Sequence, residues 1–150
     1  MRLVLDTDVV VAAVRSPSGA SSAILEEALA GNVTLLLTVP LAFEYEAICN
    51  RTEHRVAGGL SAQDARLFIE GIVALCEPVR VSFLWRPQLR DANDEMVLEA
   101  AVNGGADAIV TFNLRDFGGK SKQFGIDLLL PRDALAQIRR VNGETKGREQ

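Results

Sequence analysis

A chain of 150 residues with 48% hydrophobic and 24% charged side chains has the length for one domain with a substantial core and lacks the compositional signs of disorder. Its formal net charge of -4 excludes a broadly basic surface that grips nucleic acid over its whole extent, although metal ions in an acidic site can reverse the local sign. No apolar run approaches the ~18 residues needed to cross a bilayer.

Met1 and Arg2 lead directly into strand-like sequence, without the apolar core and small-residue cleavage site of a secretory signal, so a cytoplasmic protein with no membrane contact is expected. Two cysteines, Cys49 and Cys76, sit in helix-like apolar patterns without metal-ligand spacing and read as buried free thiols.

The stretch LVLDTDVVV, Leu3 to Val11, organises the chain. A continuous Leu/Val run reads as a strand covered on both faces, and such a strand carries no charge in its middle. Asp6 and Asp8 therefore mark its end, which in an open α/β sheet is the ligand-binding edge. Taken alone, Asp-x-Asp is also what caps a following helix. Lone acids recurring at similar junctions favour a metal or phosphoryl site.

A turn at SPSG (16–19) precedes a helix from about Ser21 to Ala30, closed by Gly31. VTLLLT (33–38) is a second buried strand, and Pro40 suits the first turn of a helix running to about Asn50. There Glu44 lines up with Leu41, Ala47 and Ile48, an inward position that is costly for a carboxylate unless it is paired or coordinating. RTEHRVAGG (51–59) reads as a mobile connection.

Ser61-Ala-Gln-Asp64 is a capping box for a helix to about Cys76, with Leu67, Phe68, Ile72, Val73 and Leu75 as its core face. VRVSF (79–83) is a third strand candidate, followed by a Trp85-Arg86-Pro87 loop. Asp91-Ala-Asn-Asp94 opens another amphipathic helix, through Met96, Val97, Ala100 and Ala101, stopped by Gly104 and Gly105. DAIVTF (107–112) is a fourth strand, with Asn113 and Asp116 just beyond it. FGIDLLL (124–130) is a short fifth, and Pro131 opens a last helix to about Arg140. The domain is expected to span 1–140, leaving VNGETKGREQ (141–150) as a frayed tail.

Alternating strands and helices imply a mostly parallel sheet whose strand ends gather along one edge. Asp6, Asp8 and the Asn113–Asp116 loop meet there, and Glu44 and Asp94 lie in first turns of helices that start at the same edge. The helix N-terminus is expected to help keep Asp94 ionised. Converging carboxylates without matching Lys or Arg call for a divalent cation, and oxygen-only ligands favour Mg²⁺ or Mn²⁺. His54, the only histidine, lies in the connection, which argues against zinc. A carboxylate-held metal suits phosphodiester hydrolysis. Arg86, Arg90 and Arg115 flank the acidic loops as candidate phosphate contacts, or else form surface ion pairs.

The ordered set of motifs resembles a PIN-domain ribonuclease of the VapC-like toxin class, over residues 3 to about 135. It is carried by Asp6-Thr7-Asp8 after the first strand, by Glu44 in PLAFEYEAI, and by Asp94 ahead of Gly105-Ala106-Asp107-Ala108-Ile109-Val110-Thr111. Asn113-Leu-Arg-Asp116-Phe117 completes it. The resemblance implies a three-layer α/β/α PIN-like fold in which Asp6, Glu44, Asp94 and Asp116 bind one or two Mg²⁺ or Mn²⁺ ions, supported by Thr7 and Thr111. It further implies RNA as substrate, a neutralising antitoxin and a homodimer. Asp8 stands where the family usually has Asn, and either joins the metal shell or raises the pKa of Asp6. Asn113 stands where some members have an acid. Asp91 reads as a cap rather than a ligand.

Two rivals remain open on sequence. Asp6-Thr-Asp8-Val-Val10 also satisfies the haloacid-dehalogenase-like phosphatase motif, with Thr38 as its hydroxyl, but that chemistry needs a Lys ahead of the last acids. Here Lys120, Lys122 and Lys146 all follow Asp94. The other rival is a PIN-like module that binds RNA or a partner without cutting.

Overall fold

The computed structural model describes residues 1–82 and 89–148. Five strands form one all-parallel sheet in the order β3-β2-β1-β4-β5. They are β1 (Arg2–Leu5), β2 (Thr34–Leu37), β3 (Glu77–Pro78), β4 (Ala108–Val110) and β5 (Asp127–Leu129). Leu3, Val4 and Leu5 of the central strand are at most 2% exposed, as a strand with helices over both faces requires. The α/β class and the parallel sheet are therefore as expected.

The run from Leu3 to Val11 ends as a strand at the acids, as expected. It supplies β1 and most of a helix, α1 (Thr7–Arg15), with Asp6 as N-cap. Val9, Val10, Ala13 and Val14 are buried, a helical stripe that an unbroken apolar run conceals because it satisfies either period. Helices α2 (Ala20–Leu29) and α3 (Val39–Cys49) follow close to expectation. The buried stripe of α3 is Leu41, Tyr45 and Cys49, however, and Ala47 is exposed.

Residues 51–59 hold a short helix, α4 (Thr52–Ala57), rather than a loose connection. It packs on α1 through Gly58, where an added Cβ would lie 2.0 Å from the Val14 carbonyl oxygen. Arg15 reaches His54 Nδ1 at 3.0 Å beside it. The capping box at Ser61 and Asp64 forms and opens α5 (Ala62–Leu75). Its buried residues are Ala65, Ile69 and Ile72, whereas Leu67 and Val73 of the expected face are exposed.

The third strand is displaced from 79–83 to the two residues of β3, paired with Leu36 and Leu37. The Arg2 guanidinium holds Glu77 there at 2.5 Å. Phe83, Trp85, Arg86 and Pro87 lie outside the described residues. Helix α6 (Ala92–Gly104) packs across β1, β2 and β4 and ends on Gly105, whose φ of 62° is the left-handed C-cap expected of glycine.

After β4 come a 3₁₀ turn (Leu114–Phe117) and a short α7 (Lys120–Gln123). The last helix, α8 (Pro131–Arg148), continues past Arg140 instead of fraying there. Asn142 ties it down by donating to the Asn32 carbonyl at 2.9 Å.

Candidate active site

β1 and β4 are neighbours with Leu5 opposite Val110, so the residues leaving their carboxyl ends emerge side by side. The Asp6 N–H donates to the Val110 carbonyl at 2.9 Å. Its Oδ1 accepts from the Thr7 N–H at 2.7 Å, and its Oδ2 accepts from the buried Thr111 hydroxyl at 2.8 Å. The Thr111 oxygen in turn accepts from the Asn113 N–H at 2.9 Å. Asp6 is thus fixed by one group from its own helix and one from the adjacent strand.

Asp8 sits in the first turn of α1, and its Oδ2 accepts from the Phe112 N–H at 3.1 Å. Among the described residues its Oδ1 is buried without a hydrogen-bond partner, and so is Oγ1 of Thr7. On α6, Asp91 is the N-cap, accepting from the Asn93 N–H at 2.7 Å. That arrangement leaves Asp94, which is 8% exposed, with no hydrogen bond among the described residues. Asp116 lies on the 3₁₀ turn and accepts from the Asn113 amide.

These acids feel one another. Burial pushes Asp94 up to about 7, and Asp6, Asp91, Asp116 and Asp8 push in the same direction. Burial and then Asp6 carry Asp8 up to about 6, against the hydrogen bonds it accepts. Asp6 is likewise raised, first by burial, although Thr111 and Thr7 pull the other way. The expected help of the helix N-terminus to Asp94 is outweighed: a partial charge of ~0.5 does not offset desolvation plus neighbouring carboxylates.

A cleft of about 480 Å³ is lined by Asp91, Asp94 and Asp116 together with Arg90, Arg115 and Lys120. Arg90 and Arg115 therefore border the acids, as expected from their flanking positions. Lys120 was not anticipated, although Gly118-Gly119-Lys120 directly follows Asp116-Phe117 in the chain. Tyr45 was also missed: its buried hydroxyl donates to the Leu5 carbonyl and holds the end of β1 against α3. Arg86 lies outside the described residues.

Glu44 is half-buried in the second turn of α3, not the first, is not among the residues lining that cleft, and bears electrostatically on Cys49 of its own helix. Among the described residues no three His, Cys, Asp or Glu side chains converge tightly enough to form a metal site as they stand. The other sequence candidates, Asp6, Thr7, Asp8, Asp91, Asp94, Thr111, Asn113 and Asp116, gather at one sheet edge.

A family model described as PIN domain matches residues 2–115. The match covers the first strand through the start of the 3₁₀ turn and ends one residue before Asp116. Searches of curated proteins and of solved structures gave no significant match. With most of its length matched, the chain belongs to the PIN-domain family, whose members are generally nucleases.

Proposed function

We propose that the chain is a Mg²⁺- or Mn²⁺-dependent endoribonuclease, acting in the cytoplasm as the toxin of a toxin–antitoxin pair. The observation that carries the catalytic part is the aspartate cluster: Asp6, Asp8 and Asp94 are all raised above the ordinary carboxylate range in a site that contains a buried carboxylate oxygen with no partner. Oxygen-only donors under mutual repulsion fit a hard divalent cation. Asp6, Asp94 and Asp116 would hold it, with Asp8 contributing its orphaned Oδ1. Glu44, assigned by resemblance, would need to turn toward them.

A divalent cation held by these carboxylates would supply Lewis-acid activation of water and charge neutralisation at the phosphodiester. Thr111 and the Thr7 N–H keep the Asp6 carboxylate in one orientation. Arg90, Arg115 and Lys120 supply the positive charge that an acidic protein needs around an RNA phosphate. The antitoxin partner and a homodimer follow from the resemblance to VapC-like toxins.

The test is cleavage of a labelled panel of structured RNAs by the purified protein in Mn²⁺, Mg²⁺ or EDTA, with Asp6→Asn and Asp94→Asn in parallel. Divalent-dependent cutting that both variants lose is the expected result. RNA left intact in every lane while still bound would replace this reading with a non-cutting module.

A further inference from the structure

A second cavity, of about 560 Å³, adjoins the acids but has no role in the reading above. Its lining includes Ala12, Ala20, Ser21, Phe112, Pro131 and Arg132. Two helices begin on it, α2 at Ala20 and α8 at Pro131. First-turn N–H groups of α2 have no acceptor within their own helix, and its cap, Gly19, offers no side chain in compensation. In α8, Pro131 has no N–H and the Asp133 N–H already donates to the Leu130 carbonyl at 3.0 Å, which leaves the Arg132 N–H.

Ser21 supplies a separate indication. It is 4% exposed, lines the cavity, and its Oγ is buried without a hydrogen-bond partner among the described residues. The adjacent Ser22 hydroxyl is used, donating to the Ser16 carbonyl at 2.7 Å. Buried hydroxyls are ordinarily satisfied, so Ser21 leaves a donor that a ligand with acceptor oxygens can take up.

Charge and location narrow the ligand. Among the described residues Arg132 is the one charged side chain lining the cavity, 80% exposed and with its Nε 4.0 Å from Asp133 Oδ1. Phe112 presents a half-exposed ring while its N–H holds Asp8. Ala12 lies one helical turn beyond Asp8 on α1. Helix N-termini, a hydroxyl and a guanidinium together take a phosphate, and an exposed aromatic beside them takes an unpaired base.

We propose that this cavity binds the nucleotide next to the scissile bond of a single-stranded RNA, with its phosphate at the N-termini of α2 and α8 and its base against Phe112. The assignment rests on the nuclease reading for the identity of its ligand. In this arrangement Ser21 and Arg132 hold the phosphate, and the Phe112 backbone links substrate seating to Asp8.

The experiment is fluorescence anisotropy of a labelled single-stranded RNA octamer with the full chain in EDTA, where binding is read without cutting. Arg132→Glu, an exposed change, is expected to weaken binding about tenfold, and Phe112→Leu about fivefold or more through lost stacking. Ser21→Ala is expected to weaken it about threefold while the folded protein becomes more stable, since an orphaned hydroxyl is removed. Unchanged RNA affinity in Arg132→Glu and Phe112→Leu overturns the subsite, whether or not the protein cuts. If the variants lose affinity but no cleavage appears with Mn²⁺, the subsite stands and the nuclease reading falls. In a cleaving protein, the loss in Arg132→Glu appears in KM, whereas Asp94→Asn loses kcat.

Discussion

Replacing Asp94 with Asn should make the metal-free protein more stable, and by an amount that depends on pH. Asp94 is raised from 3.8 to about 7 in the folded chain, and the unfolded chain titrates near the ordinary value. Between those limits the native state binds a proton that the unfolded state does not, so stability falls as pH rises, and the whole penalty is present above about 7. At ~1.36 kcal/mol for each pH unit the ceiling is about 4 kcal/mol. The carboxylate borders an open cleft, where solvent screens it, and we take half, about 2 kcal/mol. The amide never ionises, and Asp94 accepts no hydrogen bond among the described residues that the change would break.

Thermal unfolding in EDTA, followed by circular dichroism, reads this out directly. Asp94→Asn should melt about 4–8 °C above the parent at pH 8, and the gain should shrink below about 1 kcal/mol by pH 5. Asp8, raised to about 6, acts with the same sign, so the parent itself should melt lower at pH 8 than at pH 5. A variant less stable at pH 8, or a difference equal at both pH values, would refute the claim that Asp94 sits in a repulsive, desolvated cluster.

Further outcomes follow from the same geometry. Thr111→Val keeps the shape but leaves Asp6 Oδ2 without its donor, so equilibrium urea unfolding at pH 8 should show a loss of about 1.5–3 kcal/mol. A loss under 0.5 kcal/mol, roughly the level of an ordinary surface substitution, would mean that water replaces the hydroxyl. Mn²⁺ at about a hundred times its Kd should raise the parent's stability by about 2.7 kcal/mol and flatten its pH dependence. Scanning calorimetry on Asp94→Asn should show most of that gain gone, and an equal gain in the variant would place the cation elsewhere.

The sheet was legible because each main strand announces itself by burial: the Leu/Val run at β1, TLLL at β2 and AIV at β4 have no polar interruption. The edge strand β3 is two exposed residues, Glu77 and Pro78, whose pairing depends on β2 and the Arg2 contact rather than on any pattern of their own. The acids mark the end of β1 and can cap a following helix, but the extent of α1 was concealed because Val9 to Val14 are apolar under either period. Likewise the core face of α5 turned on which of two adjacent apolar stripes meets its neighbours, and that is a tertiary matter.

At the site, Asp6, Asp8, Asp94 and Asp116 were readable as acids at strand and helix junctions. Their mutual elevation was not, because local helix polarity at Asp94 points the opposite way and only the assembled neighbours reverse it. Glu44, inward by spacing, is half-buried beside Tyr45, whose hydroxyl takes the place against β1. Lys120 and the cavity at Ser21 depend on how loops and helix ends fold back, and short-range sequence patterns carry little of that.

The hydrogen bond from Thr111 to Asp6 joins residues 105 apart in the chain, and β4, which delivers Thr111, inserts between β1 and β5. A chain emerging from the ribosome therefore carries Asp6 and Asp8 from the outset but lacks the strand that orients them until its last third is made. Long-range parallel pairing is slow to form. On the ribonuclease reading proposed above, the acids would lack the strand that orients them while the chain is still attached to the ribosome, and cleavage would await closure of the sheet.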